Sequence, residues 1–274
     1  MTDPTYALGR SDDEHARLAE QADFLRPLTE RLFKKAGITS GMKVLDVGSG
    51  VGDVAFLLAE LVGPDGKVIG VDMDGAALEK ARKRAEHLKL QNVEFIHGDI
   101  RTTEMPGPID AAVGRLVLPY FADPVGALAR IAAQVRSKGI VAFQEMELNE
   151  AAEEAARGDS LVGKVAVAIC RTFAAAGVHV NTASELLHTY MEAGLGKPDL
   201  LGEFGGGGGP DFAGYPWFGN TVRSLAPMAR KLGISLELLG NLDILTDRLR
   251  SEAATEKRDF WSPPLVGAFV RVAS

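Results

Sequence analysis

The chain has 274 residues, of which 46% are apolar and 24% charged, the balance of a folded protein rather than a disordered one. Its formal charge is −7, from 37 acidic and 30 basic residues, so it lacks the cationic excess that neutralises nucleic-acid phosphates. The single cysteine, Cys170, excludes an intrachain disulfide and a thiolate metal cluster.

The densest basic run, Lys80, Arg82, Lys83 and Arg84 with Lys89 nearby, is interleaved with Glu79 and Glu86 and reads as a solvated helix face. The five histidines (His15, His87, His97, His179 and His188) show no metal-ligand spacing, so no metal is expected. The first ten residues lack the apolar core of a signal peptide, and no apolar run approaches the ~18 residues of a membrane span. The expected location is the cytoplasm.

In chain order, Ser11-Asp-Asp-Glu14 has the form of a capping box. Leu18, Ala22, Leu25, Leu28, Leu32 and Phe33 then follow at helical spacing up to a stop at Gly37. Pro27 is expected to divide this stretch or to start a second helix. Short apolar runs and helical stretches then alternate. Strands are predicted at 43–47, 67–71, 93–96, 109–113 and 140–145, with helices at 53–61, 75–88 and 124–135. Beyond residue 146 the pattern turns helical at 161–176, 183–193 and 221–232. Strands are predicted at 200–204, just before the run Gly205 to Gly209, and at 265–272.

Repeated strand–helix alternation predicts an α/β protein with a Rossmann-like, seven-stranded, mostly parallel sheet covered by helices on both faces. N-terminal helices and a helical substrate cap complete it. The segments are an N-terminal helical part (1–38), a cofactor-binding core (39–147), and a cap with the final strands (148–274).

The informative stretch is Asp46-Val-Gly-Ser-Gly-Val-Gly52-Asp53, where the first strand hands over to a helix. Glycines there let a ligand lie against backbone N–H groups at the positive end of the helix. Three features separate it from a dinucleotide loop. Asp46 lies two residues before the loop and suits a cationic ammonium. Gly48, Gly50 and Gly52 are spaced G-x-G-x-G rather than G-x-G-x-x-G, and Asp53 repels a pyrophosphate. Asp72 ends the second strand, where a carboxylate accepts from the ribose hydroxyls of any adenosine ligand. Asp99, after the third strand, can accept from an adenine amino group, with the Ile100 backbone at the ring edge.

Asp46-Val-Gly-Ser-Gly-Val-Gly52, Asp72-Met73 and Gly98-Asp99 resemble, in order, the motifs of class I S-adenosylmethionine (SAM)-dependent methyltransferases. The resemblance implies a last strand antiparallel to the rest and SAM across the carboxyl ends of the first two strands. It implies that Gly48, Ser49 and Gly50 line the methionine part, that Asp72 holds the ribose and that Met73 packs on the adenine. Asp99 and Ile100 would meet the adenine edge, and Arg115 falls where such enzymes contact the amino-acid end of SAM. Tyr6-Ala-Leu-Gly9, Gly114-Arg-Leu-Val-Leu118, Phe143-Gln-Glu-Met146, the glycine-rich 205–211 segment and Pro263-Pro-Leu-Val-Gly267 resemble a narrower bacterial group of mostly small-molecule methyltransferases. Many of these act in natural-product pathways.

The implied function is methyl transfer to a small, apolar organic acceptor. The alternatives are a non-catalytic SAM-binding protein or, less favoured by Asp46 and Asp53, a nicotinamide-dependent oxidoreductase. Tyr6, Glu145 and His188 are candidates for a general base, with Tyr190 beside the last. Phe212, Tyr215, Trp217 and Phe218 form either an anchor for the glycine run or an aromatic wall for the acceptor. No nucleic-acid or membrane partner is expected.

Overall fold

The computed structural model describes residues 12–149, 152–153 and 157–273, with side chains from residue 21 onward. The expected capping box, Tyr6 and the side chain of His15 therefore lie outside the described residues. Helix α1 (Asp12–Ala36) runs unbroken through Pro27, contrary to the expected division. Its buried stripe of Leu25, Leu28, Leu32 and Phe33 offsets the hydrogen bond that proline cannot make. The helix ends as expected at Gly37 (φ +96°), with the Ile38 N–H donating to Phe33 C=O at 3.0 Å.

Strands β1 (Lys43–Val47), β2 (Lys67–Asp72), β3 (Val93–His97), β4 (Ile109–Arg115), β5 (Val135–Met146), β6 (Asp199–Glu203) and β9 (Leu265–Arg271) form one seven-stranded sheet. Its order is β3-β2-β1-β4-β5-β9-β6, and β9 alone runs antiparallel to its neighbours. The central strands are buried along most of their length, so both faces must be covered. One face carries α1 and α2 (Asp53–Val62), packed through Leu32, Phe33, Val54, Leu57 and Leu58. The other carries α4 (Pro124–Ala132) and α6 (Thr182–Glu192), packed through Leu128, Ile131, Leu186 and Tyr190. Helix α3 (Gly75–His87) lies against β2 and β3. Strand β5 starts five residues before its apolar run, because Arg136, Ser137 and Lys138 are exposed and carry no hydrophobic signal.

The remaining helices, α5 (Leu161–Ala175), α7 (Gly214–Lys231) and α8 (Leu245–Glu256), share a second core with Leu25 and Leu28 of α1. Helix α8 escaped sequence reading because only Leu245 and Leu249 of it are buried. This second core borders the carboxyl ends of β4 and β5 through Leu116, Met146 and Leu148. The glycine run forms a two-residue strand β7 (Gly206–Gly207) paired with β8 (Phe260–Trp261). A Cβ on Gly207 would come within 2.4 Å of the Phe212 ring, so the ring can press on the backbone only where no side chain intervenes.

Tyr190 is fully buried and joins α6 to the sheet. Its hydroxyl accepts from Phe143 N–H (3.0 Å) and donates to Ala268 C=O (2.8 Å), the registered pair of β5 and β9. Tyr190→Phe orphans both backbone groups. Urea unfolding is expected to show a loss of about 1–3 kcal/mol, and an unchanged midpoint would refute that role.

Candidate functional site

Strand order reverses between β1 and β4, and the carboxyl ends of parallel strands at such a reversal form a crevice open to a ligand. The residues from Asp46 to Asp53 lie there. Gly48, Gly50 and Gly52 have φ of +68°, +51° and +94°, the left-handed region that glycine enters without strain. The turn is closed by Gly48 and Ser49 N–H groups donating to Val71 C=O (2.9 and 3.1 Å) and by Gly52 N–H to Ser49 C=O (2.9 Å). A Cβ on Gly48 would lie 2.6 Å from the Val117 side chain, whereas one on Gly50 would meet nothing within 4 Å. The turn is therefore tight on its β4 side and open above Gly50.

Asp72, at the end of β2, is oriented by two backbone donors. Gly50 N–H donates to its Oδ2 at 2.8 Å and Asp74 N–H to its Oδ1 at 2.7 Å. The same carboxylate thus joins the glycine turn to the start of α3, whose first N–H groups are capped by Asp74. Met73 beside it is 58% exposed. Its carbonyl bonds His97 Nε2 at 3.0 Å.

Asp46 is 1% exposed, and its Oδ2 has no hydrogen-bond partner; neither has the buried Ser49 Oγ. Burial pushes the Asp46 carboxyl well above its ordinary range; Arg115 opposes the rise, and Asp72 and Asp53 add to it. Burial likewise lowers the Arg115 guanidinium, against the pull of Asp53 and Asp46. Arg115 Nη1 donates to Thr29 Oγ1 at 3.3 Å, and the Thr29 hydroxyl reaches Gln144 Oε1 at 2.8 Å. Sequence reading did not single out Thr29, and named Gln144 only within Phe143-Gln-Glu-Met146. The available signal was a lone polar residue within the Leu25, Leu28, Leu32 stripe.

Other candidates are placed as follows. Asp53 opens α2 and pairs with Arg84 Nη2 at 2.6 Å, while Arg84 Nη1 donates to Val51 C=O at 2.7 Å. Asp99 accepts from the Arg101 guanidinium at 2.6 Å, which holds its carboxyl below the usual range. Ile100 is buried beneath it. Glu145 is fully buried: Oε1 accepts from the N–H groups of Val117 (3.2 Å) and Leu118 (3.1 Å), and Oε2 has no partner. Burial outweighs those two bonds and raises its pKa to about 8.

His188 is exposed on α6. Phe212, Tyr215, Trp217 and Phe218 pack on one another and on Phe24 and Phe260, with ring centroids 4.8–5.8 Å apart for Phe24–Trp217, Phe218–Phe260, Phe212–Tyr215 and Phe24–Phe212. They anchor the glycine run. Among the described residues, no group of three or more His, Cys, Asp and Glu side chains is arranged to hold a metal, and no helix is long and apolar enough to cross a membrane.

The arrangement fits a ligand carrying a cation near Asp46, a pair of hydroxyls near Asp72 and an open approach over Gly50. A methyltransferase-domain family model matches residues 38–194, more than half of the chain. Aklanonic acid methyltransferase of Streptomyces sp. strain C5 is 34% identical over 140 residues, covering 51% of this chain and 63% of that protein. Nocamycin O-methyltransferase of Saccharothrix syringae is 31% identical over 169 residues, covering 61% of this chain and 60% of the other. The chain thus spans less than two thirds of the length of these relatives. The solved structure of the [4+2]-cyclase SpnF superposes with a TM-score of 0.54 at 19% identity, covering 99% of this chain and 86% of that one. That likeness concerns the fold, which does not by itself specify a reaction. The match over residues 38–194, on a sheet of this order with its glycine turn at the reversal, places the chain in the methyltransferase-domain family.

Proposed function

We propose that this chain is a SAM-dependent methyltransferase whose acceptor is a small, apolar organic molecule of natural-product type. The observation that carries the cofactor assignment is the buried Asp46 carboxylate, its Oδ2 unpartnered, beside a glycine turn tied to Asp72. A dinucleotide would bring a pyrophosphate toward Asp46 and Asp53, whereas a SAM ammonium would give the unpartnered Asp46 Oδ2 a charged donor. Family membership and the two natural-product relatives support the reaction class and the acceptor class.

When bound, SAM supplies a methyl group already activated on a sulfonium. The residues have the tasks of holding and aligning. Asp46 and Ser49 would hold the amino-acid end with Arg115, Asp72 would accept from the ribose hydroxyls, and Met73, Asp99 and Ile100 would border the adenine. Alignment of acceptor against donor can supply roughly 7–11 kcal/mol of the barrier. The second core, bordering the carboxyl ends of β4 and β5, offers apolar surface to the acceptor.

Calorimetric titration with S-adenosylhomocysteine, run beside NADH, tests the reading. Binding of the first alone is the expected result. Binding of NADH alone would overturn the methyltransferase assignment in favour of an oxidoreductase.

A further inference from the structure

Resting on the SAM-dependent reading above, the geometry points to Leu116 as the residue that shapes the acceptor pocket, held in place by Glu145 as a positioning residue. Four described non-glycine residues have positive φ: Lys89, Leu116, Lys138 and Lys257. The three lysines are exposed, whereas Leu116 (φ +56°) is half-buried and apolar. A leucine in this region is strained, and such strain persists only where the surroundings over-determine it.

The surroundings here are specific. Leu116 N–H donates to Gln144 C=O at 2.9 Å, and the next two N–H groups, of Val117 and Leu118, donate to Glu145 Oε1. Adjacent residues of β5 thus pin three consecutive amides of the turn that follows β4. The left-handed residue sends successive side chains to different bodies. Arg115 reaches Thr29 of α1, Leu116 packs on the cap core, and Val117 lies against the sheet core and Gly48 of the cofactor turn. Leu116 is therefore the side chain on the cap side of a turn that touches the cofactor loop directly.

Other half-buried apolar residues packed on the same core include Tyr120, Met146, Leu148, Val162 and Ala166. None carries a charge, so an acceptor lying against this surface would be neutral and apolar. Leu116 is the member next to Val117, whose side chain lies against Gly48 of the cofactor turn, so it sets how far the acceptor enters toward the cofactor.

The test uses the full chain, S-adenosylhomocysteine calorimetry and fluorescence of the neutral probe N-phenyl-1-naphthylamine with S-adenosylhomocysteine saturating. Leu116→Gly relaxes the backbone and removes the side chain; Leu116→Asn keeps the left-handed preference and replaces an apolar side chain with a polar one. Both are expected to weaken the probe by about tenfold or more, the usual effect of altered apolar pocket contacts, while S-adenosylhomocysteine affinity stays within about twofold. Glu145→Ala should reproduce the probe loss, and Glu145→Gln, which keeps the Oε1 acceptor, should restore it. Unchanged probe binding in both Leu116 variants, parallel loss of probe and S-adenosylhomocysteine, or no rescue by glutamine would each overturn the assignment. So would a wild-type chain that takes S-adenosylhomocysteine but not the probe. A wild-type chain that binds NADH instead of S-adenosylhomocysteine would fail the cofactor reading, a result separate from these.

Discussion

Glu145→Gln is expected to leave stability nearly unchanged near pH 4.5 and to raise it by up to about 5 kcal/mol at pH 8 and above. Burial raises the folded pKa of Glu145 from 4.5 to about 8. Between those values the folded chain holds a proton that the unfolded chain has released. Proton release on unfolding then makes stability fall as pH rises through this window, with no further change from this group above it. Glutamine retains an acceptor for Val117 and Leu118 N–H and cannot ionise, so it removes the slope. Protonated Glu145 and the glutamine that replaces it are both neutral and both keep an acceptor for the Val117 and Leu118 N–H groups, which is why the two proteins should be close at low pH. Urea unfolding of both proteins at pH 5, 6.5 and 8 measures the difference. Parallel profiles across that range would show that Glu145 ionises in the folded chain as readily as in the unfolded one.

Asp72→Ala is expected to weaken S-adenosylhomocysteine by at least about 100-fold, from the loss of two charge-assisted hydrogen bonds of roughly 1.5 kcal/mol each. Asp72 also accepts from Gly50 N–H and Asp74 N–H, so its removal loosens the glycine turn before any ligand arrives. The ligand would then have to order that turn itself, which costs further affinity. Calorimetry gives the affinity, and the melting temperature without ligand separates loss of binding from loss of fold. A variant that melts as the wild type and still binds within about threefold would remove Asp72 from the ribose position.

Much of the fold could be read from the residues in order. The apolar runs and their spacing marked the seven strands of the sheet, most strongly the central ones, which are buried on both faces. The glycine turn was also readable: Gly48, Gly50 and Gly52 stand where φ is positive, a demand that the backbone imposes at each position separately. Pro27 was misread, since one missing hydrogen bond was weighed without the buried stripe that offsets it. Helix α8 and the start of β5 were missed because their exposed residues carry no periodic signal. The aromatic cluster after the glycine run stayed ambiguous until Phe24 and Phe260, distant in the chain, proved to complete it.

Residue order accounted for the sheet, the turn at its reversal and the acids at strand ends, all of which follow from preferences acting within a few positions. Packing decided the rest. Whether Asp46 is buried beside Arg115, whether Glu145 is held protonated, and whether Leu116 is bent toward the cap depend on groups brought together from distant parts of the chain. Desolvation and hydrogen-bond partnership are properties of an enclosed volume, and no local stretch of sequence encloses one.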